Sequence, residues 1–220
     1  MNGYKKLGIR KLDGIVISHF HDENLGGILS VFKKLDVQKV WDPGGEYDSS
    51  LFREYLEALK AKKIQRKALR AEDTIDWGNE LFIEVLNPPK FQPSFFSQND
   101  RSVVLLLKYG LVSGLFLGDI EKNGIEEVLR FGNDLSAGFI KIPNHGSISS
   151  LDYRLFQFSL PSTAIISPEK ECGFGNPDPK LLSYLSSKSI KVFRTDESGT
   201  IKIRIFGNNQ QDFEINVDQR

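Results

Sequence analysis

Ser18-His19-Phe20-His21-Asp22-Glu23-Asn24-Leu25-Gly26-Gly27 follows directly on the apolar run Ile15-Val16-Ile17 and leads into Ile28, Leu29, Val31, Phe32 and Leu35 at helical spacing. The pattern reads as strand, loop and helix. His19 and His21 stand two apart where the extended segment ends, and side chains at i and i+2 project to the same side of a strand. Both imidazoles can therefore reach one metal ion. Glu23 adds a carboxylate oxygen at the turn into the helix, where the N-terminus favours negative charge. Gly26-Gly27 lets the backbone pass close to this cluster, because a missing Cβ removes the steric barrier. A His-x-His pair alone is a weak signal that ordinary surface histidines also give. The specificity lies in the whole run.

Outward from this run, a second helix is expected after Asp48-Ser49-Ser50, with Leu51, Phe52, Tyr55, Leu56 and Leu59 on one face. It closes in the basic cluster Lys60, Lys62, Lys63, Arg66, Lys67 and Arg70, which has little aromatic interleaving and reads as a solvated face rather than a phosphate track. Strands are expected at 81–86, 103–107 and 115–117, with a surface loop around Pro88, Pro89 and Pro93. A helix near 120–130, a strand at 139–142, a helix after Ser149-Ser150 and a strand at 164–166 follow. The last part reads as a helix at 179–187 and strands around Val192-Phe193, 201–205 and 213–217, with a turn at Asp196-Glu197-Ser198-Gly199. This alternation points to an α/β sandwich whose sheets are covered by helices. No linker or repeat divides it, so residues 1–220 are expected to form a single domain.

With 29 basic and 29 acidic residues, no global field draws the chain toward nucleic acid or an anionic membrane. The lone Cys172 excludes an internal disulfide framework, and a passive side chain is the simpler reading than a nucleophile. The first residues lack an apolar core of signal-peptide length, which gives an expected cytoplasmic location. The most apolar stretch, 103–117, is broken by Lys108 and Gly110 and falls short of the ~20 residues of a membrane-spanning helix, so no membrane segment is expected.

The opening run resembles the metallo-β-lactamase superfamily pattern His-x-His-x-Asp-His-x-Gly-Gly. Asn99-Asp100-Arg101-Ser102-Val103-Val104-Leu105 and Leu115-Phe116-Leu117-Gly118-Asp119-Ile120-Glu121-Lys122 resemble the strand pair and Gly-Asp motif of its ComEC-type branch. Ile140-Lys141-Ile142-Pro143-Asn144-His145-Gly146-Ser147 resembles that branch's His-His-Gly-Ser segment, and Gly175-Asn176-Pro177-Asp178-Pro179 its Gly-His-Pro-x-Pro turn. Val192-Phe193-Arg194-Thr195-Asp196 continues the match, which runs from Leu7 onward.

The resemblance implies an αββα sandwich and a metal site of His19, His21, Glu23, Asp119 and His145 holding one or two divalent ions, zinc or manganese. Asp119 would be the bridging aspartate, with Glu23 and Asp119 as the catalytic carboxylates. Metal-activated water would attack a phosphodiester, a nucleic acid such as DNA during uptake, or an acyl centre. The departures are specific. Glu23 replaces Asp, Asn24 replaces the last histidine of the motif, and Asn144 and Asn176 stand where histidines are usual. An amide oxygen suits a hard cation but lacks the imidazole nitrogen that suits zinc. Asn24, Asn144 and Asn176 are therefore candidate substrate-binding residues, and each also has an ordinary reading: Asn24 as a helix N-cap, the other two in turns. Asp119 likewise suits a cap of the following helix, although its match to a ligand position favours the metal.

The family's opening strands, with an Asp-Val-Gly-Gln-Gly-Asp-like turn and an Asp-x-Gly loop, do not occur here. The sandwich is therefore expected to lack those strands, as a fragment or miscalled start would, and an exposed sheet edge makes a homodimer an expected outcome. A metal-dependent hydrolase is the leading reading. The alternative is a catalytically inactive binding or scaffold protein that keeps the fold.

Overall fold

A computed structural model describes residues 8–78, 80–168, 175–207, 209 and 212–218. The expectations for Met1 to Leu7 and for Cys172 fall outside the described residues. The chain divides into two compact units after Leu69.

In the first unit the order is β1 (Lys11–Val16), α1 (Asp22–Lys34), β2 (Asp36–Asp42), α2 (Ser50–Lys62) and β3 (Gln65–Ala68). Each helix is a crossover between parallel strands, giving a sheet of order β1-β2-β3. Gly14 lets β1 and β2 close up, since a Cβ there would lie 2.0 Å from the Trp41 ring. Phe20, Leu25, Phe32, Val40, Phe52, Tyr55 and Leu59 form the core. The α2 helix begins where expected because the Ser49 side chain accepts a hydrogen bond from the Phe52 amide. Its buried face is Phe52, Tyr55 and Leu59, whereas Leu56 is 37% exposed and lies off the core face.

Two expectations need correction here. The α1 helix starts at Asp22, so Gly26 and Gly27 sit inside it, and a Cβ on either would meet nothing within 4 Å. Close backbone approach is therefore not what these glycines provide. The N-cap position is His21, which displaces Asn24 into the first turn.

In the second unit the order is β4 (Thr74–Asp76), β5 (Leu81–Asn87), β6 (Val104–Tyr109), β7 (Val112–Phe116), α3 (Lys122–Leu129), β8 (Phe139–Lys141), α4 (Tyr153–Ser159), β9 (Thr163–Ile166), α5 (Pro179–Ser187), β10 (Lys191–Arg194), α6 (Thr195–Ser198), β11 (Thr200–Ile205) and β12 (Phe213–Asp218). Seven strands form one mixed sheet of order β10-β9-β8-β7-β6-β5-β4, antiparallel from β4 to β7 and parallel from β7 to β10.

Alternation along the central strands sorts the two faces. Leu106, Leu115, Ile140, Ala164 and Ile166 pack with Ile125, Val128, Leu155, Phe156, Leu181 and Leu185 from α3, α4 and α5. Val112, Phe139 and Ile165 face the other way, against Ile201, Ile203, Ile205 and Phe213 of the β11–β12 hairpin. The expected turn at 196–199 is the short helix α6, ended by Gly199 at φ 72°. Among the described residues no helix is long and apolar enough to cross a membrane.

Candidate metal centre

The turn after β1 is pinned by Phe20, which is 1% exposed and lies 4.7 Å, centroid to centroid, from Phe52. Burying the middle residue of His19-Phe20-His21 turns the two flanking imidazoles to the opposite side. Their ring centroids are 4.7 Å apart at 87°. One ligand atom each from His19, His21 and Glu23 lies within 4.8 Å of the others.

Each of the three is held differently. His19 is buried, with Nδ1 3.1 Å from Ser18 Oγ and Nε2 3.1 Å from Asn24 Nδ2. An amide N–H pointing at Nε2 makes that nitrogen the acceptor, so Nδ1 carries the proton toward Ser18. The His21 carbonyl accepts from the amides of Asn24 (3.0 Å) and Leu25 (3.2 Å) and so fixes the start of α1. Glu23 stands in the first turn, where negative charge suits the helix dipole, with Oε1 3.6 Å from His21 Nδ1. The Tyr47 ring is 6.0 Å from that of His21, and burial, followed by the charges of Asp22 and Glu23, pushes its phenol up.

Behind this turn lies a cluster that the sequence does not announce. Asp42, fully buried at the end of β2, accepts hydrogen bonds from Tyr55 Oη (2.7 Å), the Gly44 amide (2.8 Å), and Nε and Nη2 of Arg66. The guanidinium carbon sits 5.7 Å above the Phe20 ring and 5.9 Å from those of Phe52 and Tyr55. Burial, then the Asp42 carboxylate, raises the Tyr55 phenol. Arg66 thus leaves the basic cluster, which is not a uniformly solvated face.

In the second unit, Asp119 follows β7 and is 8% exposed. Its amide donates to Ser102 Oγ (3.1 Å), Oδ1 lies 3.6 Å from Lys141 Nζ, and Oδ2 lies 3.4 Å from His145 Nε2. Parallel pairing of Phe116 with Lys141 places the lysine beside the Gly118-Asp119 turn. His145 is in the left-handed region at φ 55°, with Nδ1 2.7 Å from the Ser167 carbonyl. That bond assigns the proton to Nδ1 and turns Nε2 to Asp119. The hydrogen bond to Asp119 raises the His145 pKa against the opposing effect of burial, and burial lowers that of Lys141 against the pull of Asp119.

The start of the helix that follows Asp119 is held from further back in the chain, by Asp100. Asp100 Oδ1 accepts from the Glu121 (3.2 Å) and Gly124 (2.9 Å) amides and Oδ2 from Asn123 Nδ2 (3.0 Å). Asn144, at φ 43°, donates Nδ2 to Glu121 Oε1 and Ser149 Oγ, both at 3.1 Å. Asn176 belongs to the segment docked on Gly146, where the Asp178 amide donates to the Gly146 carbonyl (3.0 Å) and a Cβ on Gly146 would lie 2.7 Å from Pro177 Cβ.

The predicted residues therefore gather as His19, His21, Glu23 and Asn24 in one unit, and as Asp119 with His145 in the other. Sequence reasoning passed over Lys141, Asp100, Tyr47 and the Asp42–Arg66 pair. A charge inside the apolar run 139–142 was the available signal for Lys141.

No protein-family model matches the chain. It is 30% identical to ComE operon protein 3 of Bacillus subtilis over 197 residues, which is 90% of this chain and 25% of that protein. It is 26% identical to competence protein ComA of Neisseria gonorrhoeae, over 89% of this chain and 26% of that one. The chain thus spans about a quarter of the length of these curated relatives. Among solved structures, one described as a metal-dependent hydrolase from Parabacteroides distasonis superposes with a TM-score of 0.52 at 15% identity, covering 86% of this chain and 78% of that one. The ordered motifs, the relatives and the shared fold together make this chain similar, over nine-tenths of its length, to ComEC-type proteins of metallo-β-lactamase fold.

Proposed function

We propose that this chain is a metal-dependent hydrolase in which His19, His21 and Glu23 hold a divalent ion, zinc or manganese, with Asp119 and His145 as a further catalytic carboxylate and imidazole. The supporting observation is the convergence of three ligand atoms within 4.8 Å in a single unit. Two imidazole nitrogens and one carboxylate oxygen are a donor set that divalent zinc or manganese accepts. The contact of His19 Nδ1 with Ser18 Oγ is the outer hydrogen bond that orients a ligating histidine.

When bound, such an ion lowers the pKa of a coordinated water and polarises the electrophile. The chain's own residues do the rest. The Ser167 carbonyl holds the proton of His145 on Nδ1, so Nε2 is the atom that accepts or returns a proton. Lys141 Nζ stands 3.6 Å from the Asp119 carboxylate. Asn144 and Asn176 are proposed to face the substrate, a phosphodiester and, from the competence names of the relatives, a nucleic acid. We further propose that residues 1–220 act as one domain, in the cytoplasm, and that the β1 edge is the route to a homodimer.

A second reading, a scaffold without catalysis, draws on Asn144, whose amide hydrogens are both engaged by Glu121 and Ser149. Protein purified without chelator and assayed on a generic phosphodiester with Mn²⁺ or Zn²⁺ separates the two. Hydrolysis that chelator abolishes supports the hydrolase; bound metal without turnover supports the scaffold.

A further inference from the structure

Resting on the metal reading above, we infer that Arg66, clamped by Asp42, is a positioning residue of the centre. Through the Phe20 ring it sets the directions in which His19 and His21 point.

Phe20 is the middle residue of the His19-Phe20-His21 turn, and the seat of its ring decides how the imidazoles on either side are turned. Backbone bonds hold the chain just before and just after it, from the Ile17 amide to the Trp41 carbonyl (2.8 Å) and from the Asn24 amide to the His21 carbonyl (3.0 Å). Three neighbours hold the ring itself. Phe52 lies 4.7 Å and Tyr55 6.1 Å away between centroids, and the Arg66 guanidinium carbon stands 5.7 Å from its centre. The guanidinium is fixed in turn, because Nε and Nη2 bond the two oxygens of the Asp42 carboxylate, which has no exposure and also takes the Tyr55 hydroxyl. Asp42 reaches the other wall of the pocket as well. Its Oδ1 accepts from the Gly44 amide at 2.8 Å, and Gly44 and Gly45, at φ 65° and 81°, turn the chain toward Tyr47, whose ring lies 6.0 Å from that of His21. One buried carboxylate therefore anchors both the residue between the histidines and the ring beside the second of them.

Stability alone does not call for charge here. Apolar side chains of similar volume often fill such a space without loss, because desolvation offsets most of an ion pair's attraction. What the pair adds is direction. A fork bonded to both oxygens of one carboxylate fixes the placement of the guanidinium, and the cation in turn favours one seat for the aromatic face. Ligands aimed in advance hold an ion more tightly than ligands that the ion must order.

The test uses the full chain stripped with chelator, at a temperature where circular dichroism shows every variant folded, with Zn²⁺ titrated against a chromophoric competitor. Arg66→Met is expected to weaken Zn²⁺ binding about 10-fold, as loss of residues that orient ligating histidines does. Tyr55→Phe also removes a bond to Asp42 but leaves Arg66 over Phe20, so it controls for stability and should bind within about 2-fold of wild type. The chain has three histidines, which makes their ring nitrogens separable in ¹⁵N spectra of the metal-free protein. Arg66→Met should move the signals of His19 and His21 and leave those of His145 in place. Zn²⁺ binding by Arg66→Met within about 2-fold of wild type, an equal loss in Tyr55→Phe, or unmoved His19 and His21 signals would overturn the inference. Should Arg66→Met fail to fold, Phe20→Leu keeps the ion pair and removes the ring, and unchanged affinity there would overturn it equally. Each of these results leaves the metal reading intact so long as the wild type binds the ion. A wild type that binds neither Zn²⁺ nor Mn²⁺ removes both.

Discussion

Replacing Arg66 with methionine keeps most of the aliphatic stem and deletes the charge above Phe20, Phe52 and Tyr55. It also takes two of the four hydrogen bonds from Asp42, a carboxylate with no exposure. Removing one partner of a fully buried ion pair costs about 3–5 kcal/mol, because the other charge stays desolvated. Two features reduce that figure. The Arg66 side chain is 28% exposed, and Tyr55 and Gly44 still bond the carboxylate. The lost contact with the rings adds about 0.5–1 kcal/mol. The expected destabilisation is about 2–4 kcal/mol in total. Tyr55→Phe, which removes one hydrogen bond to a charged group, should cost about 1.5–3 kcal/mol. The two substitutions should combine to less than their sum, since both act on Asp42. Urea unfolding followed by circular dichroism reads these values. A loss below about 1 kcal/mol for Arg66→Met would refute the reasoning, because Asp42 would then be held adequately without the guanidinium.

Asp119→Ala should reduce phosphodiester turnover to background while the fold persists, and normal turnover in a folded variant would remove Asp119 from the chemistry. Gly146→Ala puts a Cβ 2.7 Å from Pro177 Cβ on a backbone at φ 83°, and should cost about 2–4 kcal/mol by thermal unfolding. The hydrogen-bonded Arg194 guanidinium holds the Asp196 carboxyl below the ordinary carboxylate range, so the pair's stabilisation is full above that range and fades as the pH falls through the depressed value. The gap in urea midpoint between wild type and Asp196→Asn should accordingly be constant from pH 7 to 5 and shrink below about pH 4; a gap that widens on acidification would reverse the sign.

The fold was legible where apolar residues run together. Phe139-Ile140, the buried strand at 163–166 and the amphipathic helix at 179–187 appear as expected. The strands β2, β3 and β4 escaped because charge masks them. β2 carries Asp36, Lys39 and Asp42 around Val37 and Val40, β3 is Gln65-Arg66-Lys67-Ala68, and β4 is only three residues long. Their pairing is decided by neighbours distant in sequence.

The centre was legible in part for a similar reason. The spacing of His19, His21 and Glu23 is local and survives into three dimensions. The position of Asn24 depends on a helix boundary, and a shift of that boundary by one turn changes its role from cap to neighbour of His19. Asp100 could not be assigned from its own surroundings, because the amides it caps lie more than twenty residues away. Arg66 looked like one member of a charge run, and only the fold of β2 beside β3 brings it to Asp42.

The central claim, that His19, His21 and Glu23 form a divalent metal site, is tested most directly by the metal content of chain purified without chelator and then dialysed, measured by mass spectrometry for wild type and for His21→Ala. Close to one zinc or manganese ion or more per wild-type chain is expected, and its loss in the variant, with the fold unchanged by circular dichroism. Wild-type protein without metal that also fails to take up added Mn²⁺ or Zn²⁺, or His21→Ala retaining the full complement, would contradict it.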